Sequence, residues 1–289
     1  MASFGKFQPA KSWRAFFAVF AVALPLMAAP PPSSPPALAQ VGKPNAEESA
    51  KILDQFRQSG WHGYVEFELH ALPRRGDETV FHGKLWGGQN ERGAITRIEV
   101  TDAQGAVTRF LLQNGATPAV WRSQHGAIAQ VDRAASFRPL IEGVEITPFD
   151  LQMPFLYWPD ARVESVTRIR GRPAYVFVFT PPPGASAGGP GLKLVRAYFD
   201  AQFNAPVQIE QVGAQHVLKT MSLVDLKKVG DQWIPRSFDL RNDVSRDKTR
   251  FLVTAVALGL DFPPAVFAPS GLNDAVAPPP PARVVSIER

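Results

Sequence analysis

The chain has 289 residues, no cysteine and a formal net charge of +5. Without cysteine there are no disulfides, so the fold must rest on its apolar core. No basic cluster outside the amino end argues for nucleic acid, and there is neither a phosphate-binding Walker loop nor a dinucleotide fingerprint.

Lys6, Lys11 and Arg14 precede every acidic residue, the first of which is Glu47. An apolar run follows over residues 15–29, with Pro25 inside it, and then a Pro/Ser stretch and Ala37-Leu38-Ala39-Gln40. Basic, apolar, then small is the order of a secretory signal peptide, and it predicts cleavage after Ala39 and export to the periplasm. The alternative is a membrane anchor, but a spanning helix wants about 20 apolar residues. No cysteine stands at the cleavage site to carry a lipid. The mature chain would have 289 − 39 = 250 residues and a charge of +5 − 3 = +2, which suits one large β domain.

Residues 40–44 read as a disordered linker. Asn45 with Glu48 three residues on resembles a capping box. Ile52, Leu53 and Phe56 form an apolar stripe and Gly60 a stop, which predicts a helix over 46–59. Trp61, Val65, Phe67 and Leu69 then alternate with His62, Glu66, Glu68 and His70, a strand with one wet face. Further strands are predicted at 80–86, 95–101, 107–114 and 119–123. Turns are expected at Gly87-Gly88 with Asn90, at 102–105 and at Asn114-Gly115. Strands this short and this regularly spaced indicate an antiparallel sheet or barrel.

Residues 134–160 hold Pro139, Pro148, Pro154 and Pro159 and many apolar side chains, which suits short helices or a covering loop. Strands return at 173–180, apolar on both faces, and at 192–200, 205–212, 217–229, 232–242 and 249–260. A Pro/Gly loop at 181–191 and a tight turn at Gly230-Asp231 separate some of them. Residues 273–289 read as a Pro-rich flexible tail.

No residue pattern here specifies catalysis. His62, His70, His82, His125 and His216 lack paired metal-ligand spacing and read as surface histidines. Ser186 lies in a Gly-x-Ser-x-Gly match, but Pro181-Pro182-Pro183 before it and Gly189-Pro190-Gly191 after it deny it the strand-to-helix turn a nucleophile needs. Glu66 and Glu68 share one side of a strand and read as solvated charges rather than an acid/base pair. No cofactor is implied. The abundant aromatics fit either an ordinary closed core or a lipid-lined cavity.

One resemblance bears on that choice. Phe149-Asp150-Leu151, Tyr157-Trp158, residues 171–177, Ala197-Tyr198-Phe199-Asp200, residues 205–210 and 230–236, Thr249, Phe262 and Phe267 come in an order that resembles the periplasmic LolA-like family of outer-membrane lipoprotein-sorting proteins. The resemblance spans about residues 45–272 and is clearest from residue 149 on. It implies an α+β, mainly antiparallel β fold: a curved open half-barrel with an N-terminal helix and short helices over its concave face. It implies a non-enzymatic carrier or binder of lipids or lipidated proteins. Phe67, Leu69, Phe110, Leu112, Tyr175, Phe177, Trp233 and Phe238 would line the groove. Phe149, Leu151, Met153, Phe155 and Trp158 would form its lid. Lipid or lipoprotein acyl chains would be the cargo, with an inner- or outer-membrane protein as a further partner. The family's carrier uses a lid-contacting arginine early in the barrel, for which Arg74, Arg75, Arg92 and Arg97 all qualify. The alternative is an envelope interaction or sensing module of the same fold, without lipid cargo.

Overall fold

The computed structural model describes residues 41–57, 61–185, 189 and 191–287. The predicted signal peptide and Ser186 lie outside the described residues. Among the described residues no helix is long and apolar enough to cross a membrane.

The chain opens with helix α1 (Ala46–Arg57). Its start is a reciprocal box: Glu48 N–H donates to Asn45 Oδ1 and Asn45 N–H to Glu48 Oε2, both at 2.9 Å. Strands follow: β1 (Gly63–Leu72), β2 (Thr79–Asn90), β3 (Gly93–Thr101), β4 (Val107–Gln113), β5 (Ala119–Gln124) and the short β6 (Ala127–Val131). A connecting segment, residues 132–159, holds a single helix, α2 (Pro148–Gln152), and two short 3-10 turns. The second run of strands is β7 (Asp160–Ile169), β8 (Arg172–Thr180), β9 (Leu194–Asp200), β10 (Ala205–Val212), β11 (Val217–Val229), β12 (Gln232–Asn242) and β13 (Lys248–Leu258). A two-residue strand, β14 (Val285–Ser286), comes last.

All of these strands belong to one antiparallel sheet in the order β6-β5-β4-β3-β2-β1-β13-β12-β11-β10-β9-β8-β7, with β14 added beside β13. The sheet does not close, because β6 and β7 are its two free edges. The first six strands meander out to one edge, and the next seven start at the opposite edge and return to pair β13 with β1. The connecting segment must therefore travel from edge to edge, and it does so across the apolar face.

The sequence pattern did not predict strands β6 and β7. Both belong to two-residue hairpins whose turns have positive φ at both positions, His125-Gly126 and Arg170-Gly171. The predicted Gly87-Gly88 turn is corrected: both glycines lie inside β2, where they make room for rings on opposite faces. A Cβ on Gly87 would sit 2.1 Å from the Trp61 indole, and one on Gly88 2.5 Å from the Phe267 ring. Gly87→Ala is expected to cost about 1–3 kcal/mol by overpacking, read as a lower urea midpoint.

The segment after β13 includes residues 273–287, read from sequence as the start of a loose tail; in them Arg283 donates to Leu258 O and Gly259 O. Residues 260–287 run along the outer face of β1 to β4. Phe262, Val266 and Phe267 pack against Tyr64, Trp86 and Ala257, and Leu272 is buried against Ile95 and Leu111. Past them, β14 pairs with β13 and Ile287 is buried. The Pro-rich segment is a strap.

Candidate functional site

Period-two alternation decides which side chains enter the concave face. Phe67 and Leu69 of β1, Phe110 and Leu112 of β4, Phe177 and Phe179 of β8, Phe199 of β9, Phe238 and Leu240 of β12, and Phe251 of β13 all join one core cluster. Phe251 stacks on Phe67 at 4.4 Å and on Phe238 at 4.9 Å between ring centroids, in offset geometries that aromatic pairs favour. The convex parity carries Glu66, Glu68, His70, Lys84, Arg97 and Glu99 instead.

Two pieces lie on the concave face. Helix α1 sets Ile52, Leu53 and Phe56 into it, and Phe56 meets Phe199 at 5.3 Å. The connecting segment forms the larger cover. It buries Leu140, Ile146, Phe149, Leu151, Phe155 and Leu156, and Phe155 packs edge-on against Phe179 at 5.3 Å. Pro148 starts α2 in the position where proline fits a helix, and Met153, with φ 48°, turns the chain out of it. The groove is thus closed in this structure, filled by α1 and the cover.

Few polar groups hold the cover. Gln152 donates to the carbonyl oxygens of Gln113 (2.6 Å) and Ala119 (3.2 Å), tying it to β4 and β5. On the other side Asp150, 3% exposed, caps α2 through Thr147 and accepts from Gln211 Nε2 (2.5 Å) and Lys219 Nζ (3.0 Å). The same Lys219 Nζ donates to Glu145 O at 2.5 Å. The Glu145 carboxylate accepts from Asn242 Nδ2 at 3.1 Å. Arg57, at the end of α1, donates to Leu156 O at 2.6 Å, and Tyr157 returns a bond to Arg57 O at 3.0 Å. Arg57 is therefore an arginine that touches the cover. Of the four nominated from sequence, Arg97 holds the strap on the other face, Arg92 donates to Thr117 O, and Arg74 and Arg75 are exposed.

Burial pushes the Glu145 carboxyl up, against the opposing pull of Lys219 and Asn242. A carboxyl whose folded-state pKa is raised binds its proton more tightly when folded, so stability declines as pH rises from the ordinary glutamate value to the raised one. Glu145→Gln is expected to remove that decline and to be at least as stable as the parent at neutral pH. Urea midpoints between about pH 4 and 7 would show it.

Six of the eight nominated groove residues are buried on the inner face: Phe67, Leu69, Phe110, Leu112, Phe177 and Phe238. Tyr175 is half-buried against the same cluster. Trp233 is a correction. It is half-buried and outside the cluster, and its neighbour Ile234 takes the inward place, next to a register shift where β12 pairs β11. The five lid residues Phe149, Leu151, Met153, Phe155 and Trp158 are all buried in the cover. Leu112→Arg would put an unpaired charge into this core, and the expected loss is about 3–5 kcal/mol, visible as unfolding in a thermal melt.

The titratable groups outside the cover are taken up in pairs and short chains of their own. Glu66 accepts from the Tyr64 hydroxyl (2.8 Å), His70 lies between Glu68 and Glu78, and His62 pairs with Asp261. Among the described residues no three His, Cys, Asp or Glu converge as a metal site. Sequence reasoning missed Arg57, Gln152 and Lys219. One signal was present: Thr147-Pro148-Phe149-Asp150 is a capping-box pattern with proline at the first helical position.

No protein-family model and no curated protein matches the chain. Solved structures do. A domain assigned as an outer-membrane lipoprotein-sorting protein from Vibrio parahaemolyticus superposes with a TM-score of 0.68 at 16% identity, over 79% of this chain and 99% of its own. A DUF1329 family protein from Desulfovibrio piger gives 0.66 at 13% identity, over 78% and 96%. A LolA superfamily protein from Nitrosomonas europaea gives 0.59 at 14%, over 78% and 98%. At these identities the likeness is one of fold, and with the open antiparallel sheet, the N-terminal helix and the covered concave face it shows that this chain has the LolA-like half-barrel fold.

Proposed function

We propose that the protein is an exported, non-enzymatic binder or carrier of lipids or lipidated proteins in the periplasm. One observation carries this reading. The apolar concavity of the sheet is covered by a segment that forms no strand with it and is held at its edges by a handful of polar contacts. A hydrocarbon chain that displaced the cover would meet Phe67, Phe177, Phe238 and Phe251 in place of Phe149 and Phe155. Each methylene it buried would contribute about 0.8 kcal/mol, so an acyl chain needs no catalytic or polar motif to be held. The basic, apolar, small order of the amino end supports export, and the likeness to a lipoprotein-sorting domain supports the cargo class.

Lipid extraction and mass spectrometry of protein purified from the bacterial envelope test this. Acyl chains at near-stoichiometric levels are expected. The absence of native cysteine allows a sharper arm. Cysteines at 57 and 157, bridged by a short reducible thiol reagent, tie the cover to α1. Uptake of a fluorescent fatty acid should fall on bridging and return on reduction. A protein that comes clean of lipid and takes up none in either state would end the carrier reading.

The second reading, an interaction module, is favoured by one observation. Edge strand β7 carries Asp160, Arg162, Glu164 and Arg168 and a bulge, devices that discourage strand addition. Edge strand β6, Ala-Ile-Ala-Gln-Val, is uncharged and exposed over most of its length. A partner segment could extend the sheet there, and Ile128→Pro, at a position that pairs with Ser123 without exchanging ladder bonds and so turns its N–H to the free edge, would then abolish capture of that partner while leaving lipid content unchanged.

A further inference from the structure

A cavity of about 190 Å³ opens where β5 and β6 meet the start of the cover. Phe110, Val131, Ala135, Pro139 and Pro148 give it apolar walls, and its polar groups are Arg122, Gln130, Asp132 and Arg138. Phe110 also belongs to the core under the cover, so the cavity abuts the covered concavity.

Arg122 is the unusual member. It projects from β5, half-buried, with its guanidinium carbon 5.7 Å from the centre of the Phe110 ring. Its Nε is buried and has no hydrogen-bond partner among the described residues. Burial pulls its pKa down, with no neighbouring carboxylate among the causes. Asp132, the one carboxylate in the lining, already accepts from Ala135 N–H at 2.7 Å. Arg138 is exposed at the rim. Elsewhere on this sheet half-buried arginines are paired: Arg109 with Glu99, Arg196 with Glu210, Arg250 with Asp239. A planar, partly desolvated guanidinium facing a cavity is built to receive a carboxylate or phosphate, whose oxygens match its fork of donors.

We propose that this cavity binds the anionic end of an amphiphile: a carboxylate or phosphate taken by Arg122, on an apolar stem that packs against Phe110, Pro139 and Pro148. The volume is about six times the 30 Å³ share of one water molecule, enough for the charged group and the first few carbons. The inference deepens the lipid reading and rests on it for the length of the stem, not for the anion.

The test titrates hexanoate, hexyl phosphate and hexanol into the purified protein, followed by amide NMR shifts. At least one of the two anions should bind about tenfold or more tighter than hexanol, the ratio that one charge-assisted hydrogen bond supplies. Shifts should cluster at residues 110, 122 and 130–139. The two anions separate a fatty-acid end from a lipid phosphate. Arg122→Met should erase the preference for the anion while hexanol binding stays. Should that variant fail to fold, Arg122→Lys decides, with the preference falling several-fold as the fork is lost. Equal binding of hexanol and both anions, or an anion preference untouched in the variant, overturns the proposal. Anion binding in a protein that carries no envelope lipid would uphold the cavity and remove only the carrier reading.

Discussion

Lys219→Met is expected to lower the stability of the domain by about 3 kcal/mol, toward the lower end of what breaking a buried ion pair costs. Lys219 is 13% exposed at its side chain and Asp150 2%, and the two meet at 3.0 Å. Methionine fills much the same space, so packing is nearly preserved and the loss isolates the charge. What remains around Asp150 is the pair of Thr147 donors and Gln211 Nε2, which soften the penalty without cancelling a buried negative charge. The Glu145 carbonyl also loses its donor. Adding Asp150→Asn to Lys219→Met should recover part of the stability, because the uncompensated charge is gone. A double-mutant cycle from urea unfolding would give the coupling, expected above about 1 kcal/mol. Hydrogen exchange supplies the local readout. Amides at 140–158 should exchange faster in Lys219→Met, out of proportion to those of β1 and β13, because Lys219 holds the cover and not the sheet. A loss below about 1 kcal/mol would mean the cover is kept in place by its apolar side chains alone.

The same contacts show what a sequence can and cannot reveal. The alternation of Val65, Phe67 and Leu69 with Glu66, Glu68 and His70 gave away the face of β1, because period two is a local property. The α1 cap was equally local, three residues wide. Strand β6 has only five residues and two β-branched ones, and the charges of β7 mask its alternation; edges lack the two-sided burial that makes a strand legible. The cover could be recognised from its prolines and aromatics, and its five nominated residues are buried in it. Its fastenings could not. Lys219 stands 69 residues from Asp150 and Leu156 stands 99 from Arg57. Nothing in the run of residues around Lys219 distinguishes it from the exposed Lys227 and Lys228 on the same strand. The strap is fastened in the same way. Its proline content reads as loose chain, and its polar contacts join residues far apart in sequence, Arg283 on the carbonyls of Leu258 and Gly259 and above all Arg97.

Arg97→Met is the second large effect, about 3–5 kcal/mol, and it should fall on the strap. Arg97 has no exposure to solvent. It lies with its guanidinium 5.7 Å from the Trp86 ring centre. It donates to Gly271 O (3.0 Å), Leu272 O (3.1 Å) and Asp274 O (2.6 Å), and pairs with Glu99 at 2.9 Å. One side chain thus satisfies three carbonyls of a segment that forms no strand there. Removing it leaves those carbonyls buried against Trp86 and Leu111 with nothing to bond, at about 1–3 kcal/mol for each that stays dry. The economical response is for the strap to lift. Proteolysis should then cut between residues 262 and 287 under conditions where the parent resists, and the freed face, with Tyr64, Trp86, Ile95 and Leu111, should make the variant prone to self-association. Arg97→Lys separates charge from geometry. A single ammonium cannot span three carbonyls and a carboxylate, so the lysine variant should be cut nearly as fast as the methionine one. Wild-type resistance in Arg97→Lys would show instead that charge near Glu99 is what matters. A strap that stays uncut in Arg97→Met would assign its hold to Phe267 over Gly88 and Leu272 against Leu111.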